Sequence, residues 1–358
     1  MKCARPQLSL SLLLLFFSVC VSHLGVAQNM TTDPSRVQSQ YVVIPPRPAA
    51  ANLPAPSGTL REWNGSFTYN GVNYPYVMVG ADPATNQGAV ITTWIIPVKI
   101  VLSGGQTFDP LSGGTASALA RTLLSPIFDS STTYVQGGVD VGTTQYIDAF
   151  QRANFWSIVQ NHPNSHLLLG GPTARPSVLP ELTLHVPAQE GILGSPFGHQ
   201  VAEVDLNYLD SQLSSYMTNS HIISPTGLPI FEIYNTYLTN GGICCIGGYH
   251  SAQGAQTYAE FSYIGYAGDF GEDVSGLSHE VGDWADDPLY PGANVTPCGG
   301  LSVGGPSGSL YPYLVHGFTY HLQDLAFLRY FGGPPDGSVN DWWTFQNYPF
   351  TQVCQNGD

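Results

Sequence analysis

The chain has 358 residues, with 10 Lys and Arg against 25 Asp and Glu, for a formal net charge of -15. Such an acidic surface repels phosphate backbones and anionic lipid headgroups, which excludes nucleic acid and direct membrane adhesion as partners. A hydrophobic content of 43% suffices for a buried core and excludes disorder over most of the chain, while 40 Gly and 28 Pro forecast abundant loops.

The N-terminus opens with a short basic stretch, Met1-Lys2-Cys3-Ala4-Arg5. An apolar run follows from Leu8 to about Val21, and Gly25-Val26-Ala27 places small residues where a signal peptidase reads. The run is short for a membrane span and has no basic stop beyond it. Residues 1–27 are therefore expected to be a cleaved signal peptide, and the mature protein to be secreted, extracellular or periplasmic, without membrane contact. Residues 28–58, with Ile44-Pro45-Pro46-Arg47-Pro48 and an Ala/Pro stretch to Pro56, are expected to be an extended linker. From residue 59 to 358 the texture is uniform and predicts one domain.

Ser66 to Tyr69, an Asn70-Gly71 turn and Tyr74 to Val79 predict a β-hairpin. Ala89 to Leu102 is β-branched and nearly continuous, which suits a central strand buried on both faces. Gln145 to Gln160 reads as a helix: Ile147, Phe150, Asn154 and Ile158 recur at helical spacing, and Asp148 and Arg152 lie one turn apart. Leu182 to Val186 and Pro229 to Tyr234 are further strands, and Leu206, Leu209, Leu213 and Tyr216 mark another helix. Thr257 to Tyr266 predicts a strand, Asp273 an N-cap, and Val274 to Ala285 a helix stopped by Pro288. A last helix is expected over Tyr313 to Tyr330, ended by Gly332-Gly333-Pro334. This is an α+β layout, a mixed or antiparallel sheet packed with a helix bearing His-Glu and a C-terminal helix.

Four cysteines remain after cleavage: Cys244, Cys245, Cys298 and Cys354. An even number in an oxidising compartment points to disulfides, one of the vicinal pair joined to Cys298 and the other to Cys354, with a Cys244–Cys245 ring as the alternative.

The chemistry concentrates in Leu277-Ser278-His279-Glu280-Val281-Gly282-Asp283-Trp284-Ala285-Asp286-Asp287-Pro288. On a helix His279 and Asp283 share one face, with Glu280 beside them. At this spacing HExxH zinc hydrolases grip one metal with two side chains while the glutamate activates water. Here Asp283 stands in place of the second histidine, a legitimate but shorter ligand. Asp286 and Asp287 return to the same face and either can complete a three-ligand set, as can His316; Tyr320 and His321 are candidates to stabilise an oxyanion. His250 reads as a structural histidine, and Trp284, Trp342 and Trp343 as core or cleft wall. There is no P-loop to support nucleotide chemistry.

The segment resembles the SHELxExxTDP stretch of the plant phosphate-induced (EXORDIUM-like) proteins, and more closely a group of uncharacterised secreted bacterial proteins. The likeness extends through Gly142-Thr143-Thr144-Gln145-Tyr146-Ile147-Asp148-Ala149-Phe150, through Cys244-Cys245-Ile246-Gly247-Gly248-Tyr249-His250, and through His316-Gly317-Phe318-Thr319-Tyr320-His321-Leu322-Gln323-Asp324. It implies a zincin-like fold. These relatives carry glutamate where Asp283 stands, and many have a downstream acid where this chain reads Leu301-Ser302-Val303-Gly304-Gly305.

The sequence thus leads to two expectations. One is a secreted metal-dependent hydrolase, a peptidase acting on extracellular peptides or cell-surface polymers, with Glu280 as base, His279, Asp283 and Asp287 as ligands and zinc as cofactor; calcium or manganese is the variant that a carboxylate-rich set allows. The other is a catalytically inactive extracellular binding protein, cell-wall or glycan associated, on the same scaffold.

Overall fold

The computed structural model describes residues 34–43, 58–69, 72–136, 139–171, 175–286, 288, 312–315 and 318–321. The expected signal peptide, Cys298 and Cys354 lie outside them. The first strand, β1 (Val37–Val43), falls within the segment read as a linker, yet it pairs in parallel with a strand some two hundred residues later. The hairpin forms as expected: β2 (Glu62–Tyr69) and β3 (Val72–Val79) are antiparallel, with Tyr69 opposite Val72 across the Asn70-Gly71 pair.

β4 (Ala89–Leu102) spans the predicted range. Its side chains alternate between two buried sets: Ile91 and Ile95 face one way, Trp94, Ile96, Val98 and Ile100 the other. β5 (Thr107–Phe108) folds back antiparallel onto its end, and α1 (Ala118–Leu124) follows, capped by the Ser117 hydroxyl, which accepts from Ala120 N at 3.2 Å. β6 (Thr132–Gln136) and β7 (Val139–Thr144) form a separate hairpin.

The helix expected over 145–160 is split into α2 (Tyr146–Asn154) and α3 (Trp156–Val159). Its Asp148 and Arg152 are used differently from a helical ion pair. The Asp148 carboxylate accepts from Thr144 Oγ1 (2.6 Å), Leu167 N (2.8 Å) and the His166 ring (2.6 Å), while Arg152 donates to the carbonyls of Val141 and Ser165, each at 2.7 Å. Both side chains are buried, so Arg152 is taken by backbone carbonyls and Asp148 by a hydroxyl, an imidazole and a backbone N–H rather than by each other.

β8 (Leu167–Gly170), β9 (Ser177–Val178) and β10 (Leu182–Val186) each lie parallel to β4. β11 (Gly191–Gly194) and β12 (Val201–Asp205) are antiparallel to each other. α4 (Leu206–Asn219) is capped by Asp205, which accepts from Tyr208 N at 3.0 Å, and buries Leu206, Leu209 and Leu213 as the helical spacing predicts. Then come β13 (Gly227–Tyr234), β14 (Thr236–Asn240), β15 (Ile243–Gln253), β16 (Gln256–Tyr263) and α5 (Ser275–Asp286).

In the expected C-terminal helix the described residues form a β-hairpin instead, β17 (Pro312–Val315) against β18 (Phe318–His321). Two runs rich in Tyr, Val, Phe and Thr flank His316-Gly317, and this composition favours strands over the helical period read there.

The protein is α+β, with one large mixed sheet ordered β10-β4-β13-β16-β15-β14-β12-β11. β10, β4, β13 and β16 run parallel; β15 is antiparallel to both β16 and β14. α1, α2, α5 and β3 contribute to the core on one face, and α4 to that on the other. β13 shows the division: Leu228 and Ile230 join the first cluster, Phe231 and Ile233 the second. Each such side chain, fully buried, contributes about 1.5–3 kcal/mol. Among the described residues no helix is long and apolar enough to cross a membrane.

Two carboxyl groups are trapped in this two-sided burial. Glu232 on β13 and Glu260 on β16 are both wholly buried. Burial pushes both pKa values well above the usual carboxylate range; a Thr122 hydroxyl opposes this at Glu232, and the Asp210 charge adds to it at Glu260. On the surface, the hydrogen bond to Asp148 raises the pKa of His166 against the opposing effect of burial. All three groups hold a proton more tightly in the folded chain than in the unfolded one. Their contribution is therefore complete below the unfolded pKa values and is lost as pH rises toward the folded ones. Thermal melting should show Tm falling from pH 5 to pH 8. Glu260→Gln should flatten that slope, since a buried acid kept neutral costs about 1.4 kcal/mol per pH unit above its unfolded pKa. A Tm that rises across this range would contradict it.

Candidate functional site

α5 forms over the range the sequence predicts, but its start differs. Asp273 is not a cap: it sits at φ 58, its backbone N–H donates to Ile264 O (2.8 Å), and its carboxylate accepts from Arg121 Nη2 (2.9 Å). The helix is enclosed, packing on β15, β16, β3 and β18. Leu277, Val281 and Trp284 fill the first core cluster, and the Trp284 indole donates to Thr257 Oγ1 at 3.0 Å.

His279 and Glu280 are 2% and 1% exposed. The carboxylate of Glu280 meets an imidazole from the sheet: His250 Nδ1 on β15 lies 3.4 Å from Glu280 Oε2, and His250 is itself 1% exposed. The residue read as a structural histidine is thus the neighbour of the residue read as a general base. Gly248, two residues earlier on the same face of β15, makes room for this contact. A Cβ there would stand 2.9 Å from Glu260 O, 3.1 Å from Glu280 Cγ and 3.2 Å from Glu280 Oε1. The glycine and the histidine two positions on were visible in the sequence as a small-then-polar alternation on one strand face.

The helical spacing of His279 and Asp283 is realised in the backbone of α5. The side chains of Asp283 and Asp286, together with Asp287 and His316, lie outside the described residues; Tyr320 and His321 fall on β18, again without described side chains. Among the described residues no group of three or more His, Cys, Asp or Glu is placed to hold a metal ion. Cys244 and Cys245 are buried with their sulfurs adjacent, while Cys298 and Cys354, the partners of the other pairing, lie outside the described residues.

A second site has no local signature in the sequence. Where β13 and β16 end, an open cleft of about 300 Å³ lies between α1 and the loop leading into α5. Its floor includes Tyr234 and Tyr263, the last residues of the two parallel strands, paired with each other in the sheet. In open sheets ligands characteristically bind beyond the carboxyl ends of parallel strands, and the cleft is in that position. Arg121 from α1 ties its walls together, Nε donating to Tyr263 OH at 2.5 Å and Nη2 to Asp273. Burial and the Asp273 carboxylate push the Tyr263 phenol far above its ordinary pKa, with Arg121 opposing, so it stays protonated. Three residues distant in sequence make this arrangement, which is why no local motif announced it.

Comparison with known protein families, characterised proteins and solved structures finds no match.

The close fit of Gly248 makes a direct test of the packing beneath Glu280. Gly248→Ala should lower stability by about 1–3 kcal/mol in urea unfolding, because backbone on one side and the carboxylate on the other must both move. An unchanged midpoint would mean that Glu280 does not press on β15.

Proposed function

We propose that the protein is a secreted zinc-dependent hydrolase of zincin-like fold, acting on extracellular peptides or cell-surface polymers, with its chemistry on α5. The observation that carries this reading is the buried contact between His250 and Glu280, beside His279 on the same helix. An isolated buried carboxylate is costly, and an imidazole partner gives it a defined orientation and a proton relay. The donor types fit zinc: an imidazole at His279 and a carboxylate one turn later at Asp283, with Asp287 as third ligand and His316 as the alternative.

A zinc ion held there would polarise the substrate carbonyl and activate water. Glu280 takes the proton of the attacking water and passes it to the leaving group. His250 positions the Glu280 carboxylate, and the enclosure of α5 keeps bulk solvent from competing for it. Tyr320, on the strand β18 that packs against α5, is placed by this reading as the hydrogen-bond donor to the developing oxyanion.

Elemental analysis of protein purified without chelator should find one zinc per chain. Calcium or manganese in its place would keep the site and change the ion. His279→Ala should lose the metal. Glu280→Gln should keep the metal and lower kcat on a casein substrate by about 10²–10⁴-fold. Metal-free wild-type protein, or casein cleavage indifferent to Glu280→Gln, would remove the hydrolase reading.

A further inference from the structure

We propose that the cleft between α1 and the α5 entry loop is a binding site for a neutral sugar unit, recognised by Tyr234 and by the fixed Arg121–Asp273–Tyr263 group. The site does not depend on metal binding at α5.

Three observations select this chemistry. First is charge. The ionisable walls are Arg121, Asp273 and Glu272, and the single cation is already engaged by Asp273 and Tyr263. The lining is formally anionic by one charge, which disfavours phosphates, carboxylates and nucleotides.

Second is the mixture of groups. The walls are mostly polar and offer phenol and guanidinium donors together with carboxylate acceptors beside an aromatic ring. Vicinal hydroxyls, which donate and accept from one ring, match such a set, and the C–H face of a sugar ring lies well on a tyrosine. The volume, about 300 Å³, is at the small end of ligand pockets and suits a sugar unit or two.

Third is topology. Peptides often bind by adding a strand to a free sheet edge. β13 and β16 are interior strands, each hydrogen-bonded on both sides, so the cleft offers no such edge. A ligand here is read by side chains.

The site is also preformed. Gly265 lies against Tyr234: a Cβ at that glycine would stand 3.0 Å from the Tyr234 hydroxyl and 3.3 Å from its Cε2. Gly265 N donates to Asn235 Oδ1 at 2.7 Å, and Glu272 Oε2 accepts from Gly268 N at 2.9 Å, fixing the loop on both sides. Binding then costs little ordering of the protein.

The test is calorimetric titration of the purified full-length protein with cellotetraose, xylotetraose and mannotetraose, with tetragalacturonate and putrescine as charged probes. At least one neutral oligosaccharide should bind, and both charged probes should bind at least about tenfold more weakly, a difference of about 1.4 kcal/mol. Tyr234→Ala should weaken the neutral ligand at least about tenfold. Because Tyr234 also touches the core, Ala116→Trp supplies a second variant: Ala116 is exposed and lines the cleft, so the indole fills it without disturbing the interior. It should abolish binding with Tm unchanged. No binding by any neutral probe overturns the proposal. So does neutral binding that survives Ala116→Trp, or a charged probe that binds as tightly as the sugars. The zinc content and Glu280→Gln activity are separate readouts, so either conclusion can fail alone.

Discussion

The constraint on which the rest depends is the covering of the central strands from both sides. β13, β16 and the middle of β4 have no solvent face: α1, α2, α5 and β3 lie over one, α4 over the other. A polar side chain on these strands must therefore find a partner in the interior or remain neutral. The interior shows both outcomes. Tyr258 and Tyr249 direct their hydroxyls to the buried Asp210 of α4, whereas Glu260 has no hydrogen-bond partner among the described residues, and burial together with the Asp210 charge raises its pKa. With few cations in the chain, some interior acids such as Asp273 gain an arginine, whereas at Glu232 and Glu260 burial favours the neutral form.

The same enclosure defines the two candidate sites. The described side chains of α5 are buried, so His279 and Glu280 lie in the interior with His250 beside Glu280. The cleft occurs where that interior stops, at the carboxyl ends of β13 and β16, and Asp273 closes it two residues before α5 begins. One short loop thus sets both the wall of an open, polar depression and the start of a closed helix. The Arg121–Asp273 bond from α1 across that loop relates the two, since it holds in place the residue from which α5 departs.

Where periodicity was strong and local, the fold was legible in the sequence. The bounds of β4 and β10, the Asn70-Gly71 hairpin and the apolar face of α4 all follow from alternation or helical spacing in a single segment. The errors have a common origin in tertiary demand. Asp148 and Arg152 satisfied helical spacing, but unpaired backbone groups at Leu167, Val141 and Ser165 took them. Asp273 looked like a cap, but Arg121 reached it first. The Tyr313 segment carried enough apolar residues for a helix, yet its β-branched and aromatic content formed strands where the structure describes it. The His279–Glu280 pair was visible as a motif; the approach of His250, on another strand, and the cleft were not, because each joins residues that no window of sequence contains.

β1 leaves one consequence for the order of assembly. Its partner β15 lies on the far side of most of the chain, and Arg36 at the foot of β1 donates to Gly242 O across a separation of 206 residues. A chain made from its N-terminus presents β1 long before β15 exists to receive it. Closing so distant a contact carries a large entropic cost and tends to come late and slowly. Until then the strand's own amide groups are available to any neighbouring chain, so an early strand is also an exposure to misassociation.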